Sequence, residues 1–138
     1  MKYKNKINLE GKDVEDIKEI LMESYQYLDT LYILPKNCLG LFKNSNDFEY
    51  IGNWNVSNVK NMSLMFRHSE FNGDISNWNV SNVENMSFMF SNSEFNGDIS
   101  NWDVSNVVNI QGMFSYFKFN GDISKWNINK NTDISKIF

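Results

Sequence analysis

Cysteine, proline and histidine each occur once in this chain of 138 residues. The single Cys38 excludes an intramolecular disulfide and a cysteine-based metal cluster. His68 has no second His or Cys with which to share a metal or a catalytic triad. No apolar run approaches the length of a membrane span. The opening stretch MKYKNKINLEGKDVEDIKEI has lysines but no apolar segment of a secretory leader, which implies a cytoplasmic location. Concentrated charge is missing too. The formal charge of -4 is spread evenly: residues 1–30 hold five lysines against seven acids, and the rest hold eight Lys/Arg against ten acids. That leaves no basic face for nucleic acid and no dense acidic block. A nucleophile–base pair, a carboxylate pair in an irregular cleft and a phosphate loop are also lacking. The expectation is a non-enzymatic protein without cofactor or metal.

What is present is repetition. Trp54, Trp78, Trp102 and Trp126 recur every 24 residues, as do Phe42, Phe66, Phe90, Phe114 and Phe138. FNGDIS is written three times, beginning at Phe71, Phe95 and Phe119. The stretches 71–94 and 95–118 are identical at 16 of 24 positions, and 47–70 is looser at its start, DFEYIGNW. Within one unit, Ile75-x-x-Trp78-x-Val80-x-x-Val83 has the spacing of a leucine-rich repeat, with Trp in a Leu slot. This frame predicts a short strand with Trp78 and Val80 inward and Asn79 outward. Val83, Met86, Met89 and Phe90 then give an apolar face that predicts a helix of one to two turns. Asn-Gly before the next strand is turn chemistry.

Such units bury their apolar faces only by stacking. The expected fold is therefore an α/β repeat solenoid, leucine-rich-repeat-like, with short parallel strands and short helices. About four units fill residues 41–138. Residues 1–40 fall outside the repeat and read as an N-terminal cap. There, DVEDIKEILMESYQYL predicts a helix over about 13–28, with Asp13 as N-cap. Val14, Ile17, Leu21, Tyr25 and Leu28 form its apolar stripe, and YKNKINLE before Gly11 reads as an edge strand.

The run F-N-G-D-I-S-N-W-N-V-S-N-V-x-N-M-S-x-M-F resembles the repeat of mycoplasma-lipoprotein and BspA-like surface proteins, relatives of the leucine-rich repeats. The resemblance covers about residues 47–138. It implies a surface or interaction module.

Most residues that look chemical have a structural reading. Cys38, in KNCLGLF, maps to the slot of Met62 and Met86 and reads as a small buried apolar side chain. Asp74, Asp98 and Asp122 would form a column. Stacked carboxylates can bind Ca²⁺, but capping of a turn by each Asp is the simpler role. The columns Asn53/Asn77/Asn101, Asn58/Asn82/Asn106 and Asn61/Asn85/Asn109 suit amide ladders. The sequons, such as Asn55-Val-Ser57 and Asn85-Met-Ser87, are by-products of the repeat. The strand-face positions Asn55, Asn79, Asp103 and Asn127 form a nearly uniform polar ladder, which suits a scaffold or a ligand that itself repeats.

Variation lies elsewhere. Position 64/88/112/136 reads Leu, Phe, Gly, Lys, and RHSE and SNSE give way to SYFK at 115–118. Tyr116 and Phe117 predict an apolar patch, and such patches mark contacts. A chain ending at Ile137-Phe138 without a polar cap suggests a homodimer or a docked partner there. The candidate partner-binding residues are Leu64, Phe88, Tyr116, Phe117, Lys118, Ile137 and Phe138. The function expected is protein–protein interaction. An alternative is a virus- or mobile-element-encoded inhibitor, similar to an anti-CRISPR protein, that occludes a host or bacterial defence protein.

Overall fold

The computed structural model describes residues 3–24 and 29–138. It begins with a strand–helix–strand unit: β1 is Asn5–Asn8, α1 is Val14–Ser24 and β2 is Thr30–Ile33. β1 and β2 pair in parallel, from Asn5 opposite Thr30 to Asn8 opposite Ile33. A parallel pair needs a crossover, and α1 supplies it. The Asp13 carboxylate accepts the Asp16 N–H at 2.9 Å and so caps the helix. Glu15 and Asp16 in the first turn suit the positive end of the helix dipole. Ile17 and Leu21 are fully buried, and Val14 and Ile20 pack beside them. The stripe positions Tyr25 and Leu28 lie outside the described residues. Ser24 anchors the helix end, donating to the Ile20 carbonyl and accepting from the Tyr32 hydroxyl at 3.0 Å.

Beyond β2 the chain is built from bridges and turns. Ile33 pairs in parallel with Asn55. A second series of parallel bridges runs Asn37, Asn61, Asn85, Asn109, Asp133, each 24 residues from the last. Successive units therefore lie side by side in register, and we call each one a rung. Among the described residues, α1 is the only helix and β1 and β2 the only regular strands.

The segment after Val83, for which the apolar spacing predicts a helix, is a string of turns, and its hydrogen bonds show why. The N–H groups of Met86, Phe88, Phe90 and Asn92 donate across to carbonyls of the next rung, at Asn109, Gln111, Met113 and Ser115. The N–H groups of Met89, Ser91 and Ser93 instead donate to the carbonyl three residues back in the same rung. The same alternation runs through 62–69. A helix would direct every N–H along its own axis. The turn string uses half of them to join rungs and still places an apolar side chain every third or fourth residue. The two readings share one hydrophobic period.

The core is contiguous from the first unit into the rungs, and Leu9, Ile17 and Leu21 join Val56, Met62 and Phe66 in it. Its spine is two columns of phenylalanine. Phe42, Phe66, Phe90 and Phe114 stack at 5.4, 5.5 and 6.1 Å. Phe71, Phe95 and Phe119 slot beside Phe66, Phe90 and Phe114 at 4.5, 4.3 and 4.2 Å, with rings nearly parallel. Offset stacking of this kind adds to the burial of each ring.

Candidate functional site

Polar side chains in the rungs are mostly occupied by their own backbone. The motif Asn/Asp-x-Ser recurs, and in it the first side chain accepts the Ser N–H two residues on. Asn55 with Ser57, Asn61 with Ser63, Asn79 with Ser81 and Asp103 with Ser105 do this at 2.9–3.1 Å. Asp74, Asp98 and Asp122 do the same with Ser76, Ser100 and Ser124, each at 2.9 Å. These are Asx turns. Donation from serine holds these aspartates below the ordinary carboxylate range, with the side-chain bond leading at Asp74 and Asp98 and the backbone bond at Asp122. No group of three or more His, Cys, Asp or Glu placed to hold a metal occurs among the described residues.

Asn55, Asn79 and Asp103 thus sit in turns. Asn55 makes one bridge to β2, and Asn127 is exposed. Of the asparagine columns, Asn82 and Asn106 reach across a rung, donating to the carbonyls of Ser57 and Ser81 at 2.7 and 2.6 Å. The Asn58 amide donates to Glu10 and ties the first unit to the array. Asn61, Asn85 and Asn109 each cap the turn that follows.

Cys38 is completely buried in the column it shares with Met62 and Met86, and desolvation pushes its thiol up to about 12. His68 lies exposed on the surface, where its Nδ1 accepts from the Asn92 amide at 2.7 Å.

The variable positions have a common backbone property that the sequence does not display. Gly40, Leu64, Phe88, Gly112 and Lys136 all have positive φ, from 51 to 62°. So do Asn44, His68, Asn92 and Tyr116. Both columns are third residues of turns, where left-handed backbone is required and a bulky side chain is strained. The change from Phe88 to Gly112 has a packing cause as well. A Cβ on Gly112 would lie 2.3 Å from Cε1 of Phe88. The phenylalanine ring of one rung covers the next, which must be glycine.

Three of the candidate contact residues come together. Phe88, Tyr116 and Phe138, with Ser115 and Lys136, line one surface cavity of about 250 Å³. Tyr116 is 81% exposed and Phe138 is 69% exposed, although the Phe138 ring also stacks on Phe114 at 5.8 Å. Phe117 turns inward, half-buried, and packs at 6.3 Å from both Phe114 and Phe119. Ile137 is half-buried, its carbonyl accepting the Phe114 N–H. Lys118 is exposed, and Leu64 lies away from the cavity, half-buried. Lys136 and Ser115 were not legible as a pair in the sequence, because they meet only when two rungs lie side by side.

No helix among the described residues is long and apolar enough to cross a membrane. No curated protein and no solved structure matches the chain. Residues 36–138, covering every rung, match the family model DUF285, described as a Mycoplasma protein of unknown function. With more than half its length matched in this way, the chain belongs to the DUF285 family.

Proposed function

We propose that this chain is a non-enzymatic protein-binding module, its 24-residue units stacked as a small solenoid of leucine-rich-repeat type. One observation carries the reading. The large apolar side chains are not all absorbed by the core: Phe88 and Tyr116, which interrupt the repeat, converge with Phe138 on one cavity with a lysine at its margin. Exposed aromatics beside a cation are the composition of interface anchors. Around them, the polar side chains of the repeat mostly bond to their own turns, which suits a rigid scaffold.

The test is affinity capture from the source cell with the wild-type chain and with Tyr116→Asp. A partner held by this surface is captured by the first and lost by the second, while the melting temperatures agree. Equal capture by both removes the assignment. Light scattering on the purified chain separates a second copy of the chain from a different protein as that partner.

A further inference from the structure

A second surface lies where the rung of residues 47–70 departs from those that follow. Asp47-Phe48-Glu49-Tyr50 stands where the next rung has Phe71-Asn72-Gly73-Asp74. Glu49 occupies a glycine slot and Tyr50 an aspartate slot, so two long side chains stand beside the shorter ones of the neighbour. Between the rungs is a cleft of about 450 Å³. Phe48 and Phe71 are its buried floor, and Glu49, Tyr50, Glu70 and Asp74 form its exposed walls. It adjoins a depression of about 210 Å³ that shares Glu49, Tyr50 and Asp74.

The shape is fixed from below. A Cβ on Gly73 would collide with the Glu49 carbonyl, and one on Gly52 with the Asp74 carbonyl. The two backbones therefore pack closely at the cleft. Its described lining residues include three carboxylates, and no Lys, Arg or His is among them. Hydrogen bonds from Ser76 hold Asp74 below the ordinary carboxylate range and favour its charged form. Residues 1–115 carry fifteen acids against nine Lys/Arg, whereas 116–138 carry four lysines against two acids. The cleft lies in the acidic part of the chain, and a negative field over a low-dielectric floor concentrates cations. Tyr50 is 71% exposed and presents an aromatic face at the same place.

We propose that this cleft docks a basic segment of a protein partner, seating an arginine or lysine side chain against Tyr50 and between Glu49, Glu70 and Asp74. The floor of Phe48 and Phe71 takes the aliphatic stem and the carboxylates take the charged head. The surface shares no residue with the cavity around Tyr116, so either assignment can fail without the other.

The probe is a fluorescent hexa-arginine peptide, with hexaglutamate as the control, titrated at low and at physiological ionic strength. Binding of hexa-arginine alone, weakening with salt, is expected. The pair Glu49→Gln/Glu70→Gln weakens it about tenfold. Tyr50→Ala weakens it about threefold and Tyr50→Phe restores it, in keeping with an exposed cation–π contact. The pair Glu19→Gln/Glu84→Gln removes the same charge outside the cleft and leaves affinity within about twofold. Equal weakening by both glutamate pairs would mean attraction to net charge, and the proposal falls. It falls equally if hexa-arginine does not bind the folded wild-type chain.

Discussion

The indole Nε1 of Trp102 donates to the backbone carbonyl of Ile75, 3.1 Å away and one rung back. Trp78 makes the same bond to Ile51 and Trp126 to Ile99, at 3.0 and 2.9 Å. In these three repeats the tryptophan is thus a clasp between rungs. Its ring fills the core, and its one polar atom adds a second hydrogen bond to a buried carbonyl that already accepts a backbone N–H, as Ile75 accepts that of Trp78.

Replacing Trp102 by Phe keeps an aromatic ring but removes the indole bond to the Ile75 carbonyl, which keeps only the Trp78 N–H at 3.1 Å. The expected loss is about 0.5–1.5 kcal/mol for the hydrogen bond, with further loss from the smaller ring. Denaturant unfolding followed by far-UV circular dichroism measures it. A change of less than about 0.5 kcal/mol would show that the indole bond does not clasp the rungs.

Gly112 and Phe88 should behave as a coupled pair. Gly112→Ala places a methyl group against the Phe88 ring and strains a left-handed residue, at a combined cost of at least about 1 kcal/mol. Removing the ring in Phe88→Ala/Gly112→Ala relieves the first part only. A double-mutant cycle therefore returns a non-zero interaction energy. Leu64→Gly, in the same column, is expected to stabilise by a few tenths of a kcal/mol, since relief of strain slightly exceeds the entropy glycine adds to the unfolded chain. Strict additivity at 88 and 112 would show that the ring does not cover the glycine.

The serine-capped aspartates predict an acid-sensitive stability. Asp74, Asp98, Asp103, Asp122 and Asp133 have folded pKa values below the ordinary carboxylate value. A depressed folded pKa contributes stability that is fully present above the unfolded value of about 3.9 and lost as pH falls through the folded one. Melting temperature should therefore hold steady down to about pH 5 and fall below about pH 4. The triple substitution Asp74→Asn/Asp98→Asn/Asp122→Asn retains the Asx-turn acceptor and should flatten that fall. An unchanged slope in the triple variant would place the acid sensitivity elsewhere.

Cys38 is buried, and its thiol is displaced to about 12 by desolvation. Native protein should not react with a thiol-specific disulfide reagent at neutral pH, because the thiolate is the reacting form. Reaction should appear at the denaturant concentration that unfolds the chain. Rapid labelling of the native state would mean that the 34–42 segment opens locally.

Much of the architecture was legible in one line of sequence. The 24-residue period gives the register: the bridged residues Asn61, Asn85 and Asn109 are themselves a column of the repeat. Asp13 as N-cap and the Ile17–Leu21 stripe follow from local rules, and so does the buried slot of Cys38. The route of the chain after each Val-x-x-Met was less legible. Val83, Met86, Met89 and Phe90 fit a helical face, yet they lie on a chain of turns. An i, i+3, i+4 pattern reports which side chains are inward and not where the N–H groups point. The Asn-x-Ser signal was visible, but its meaning as a pair of hydrogen bonds from serine emerged only with the coordinates.

The sequence by itself determined the period, the core residues and their columns, because burial depends on side-chain type and recurs with the unit. Only the tertiary structure decided what the irregular residues do. Phe117 turns into the core while its neighbour Tyr116 stays out, and Phe88 lies across Gly112. Glu49 and Tyr50 form a wall only because the rung from Glu70 to Asp74 stands beside them. The Phe88–Gly112 contact and the Glu49–Tyr50 wall join residues about 24 positions apart, and Tyr116 is set outward by the left-handed backbone of its turn. Local propensity has no term for either.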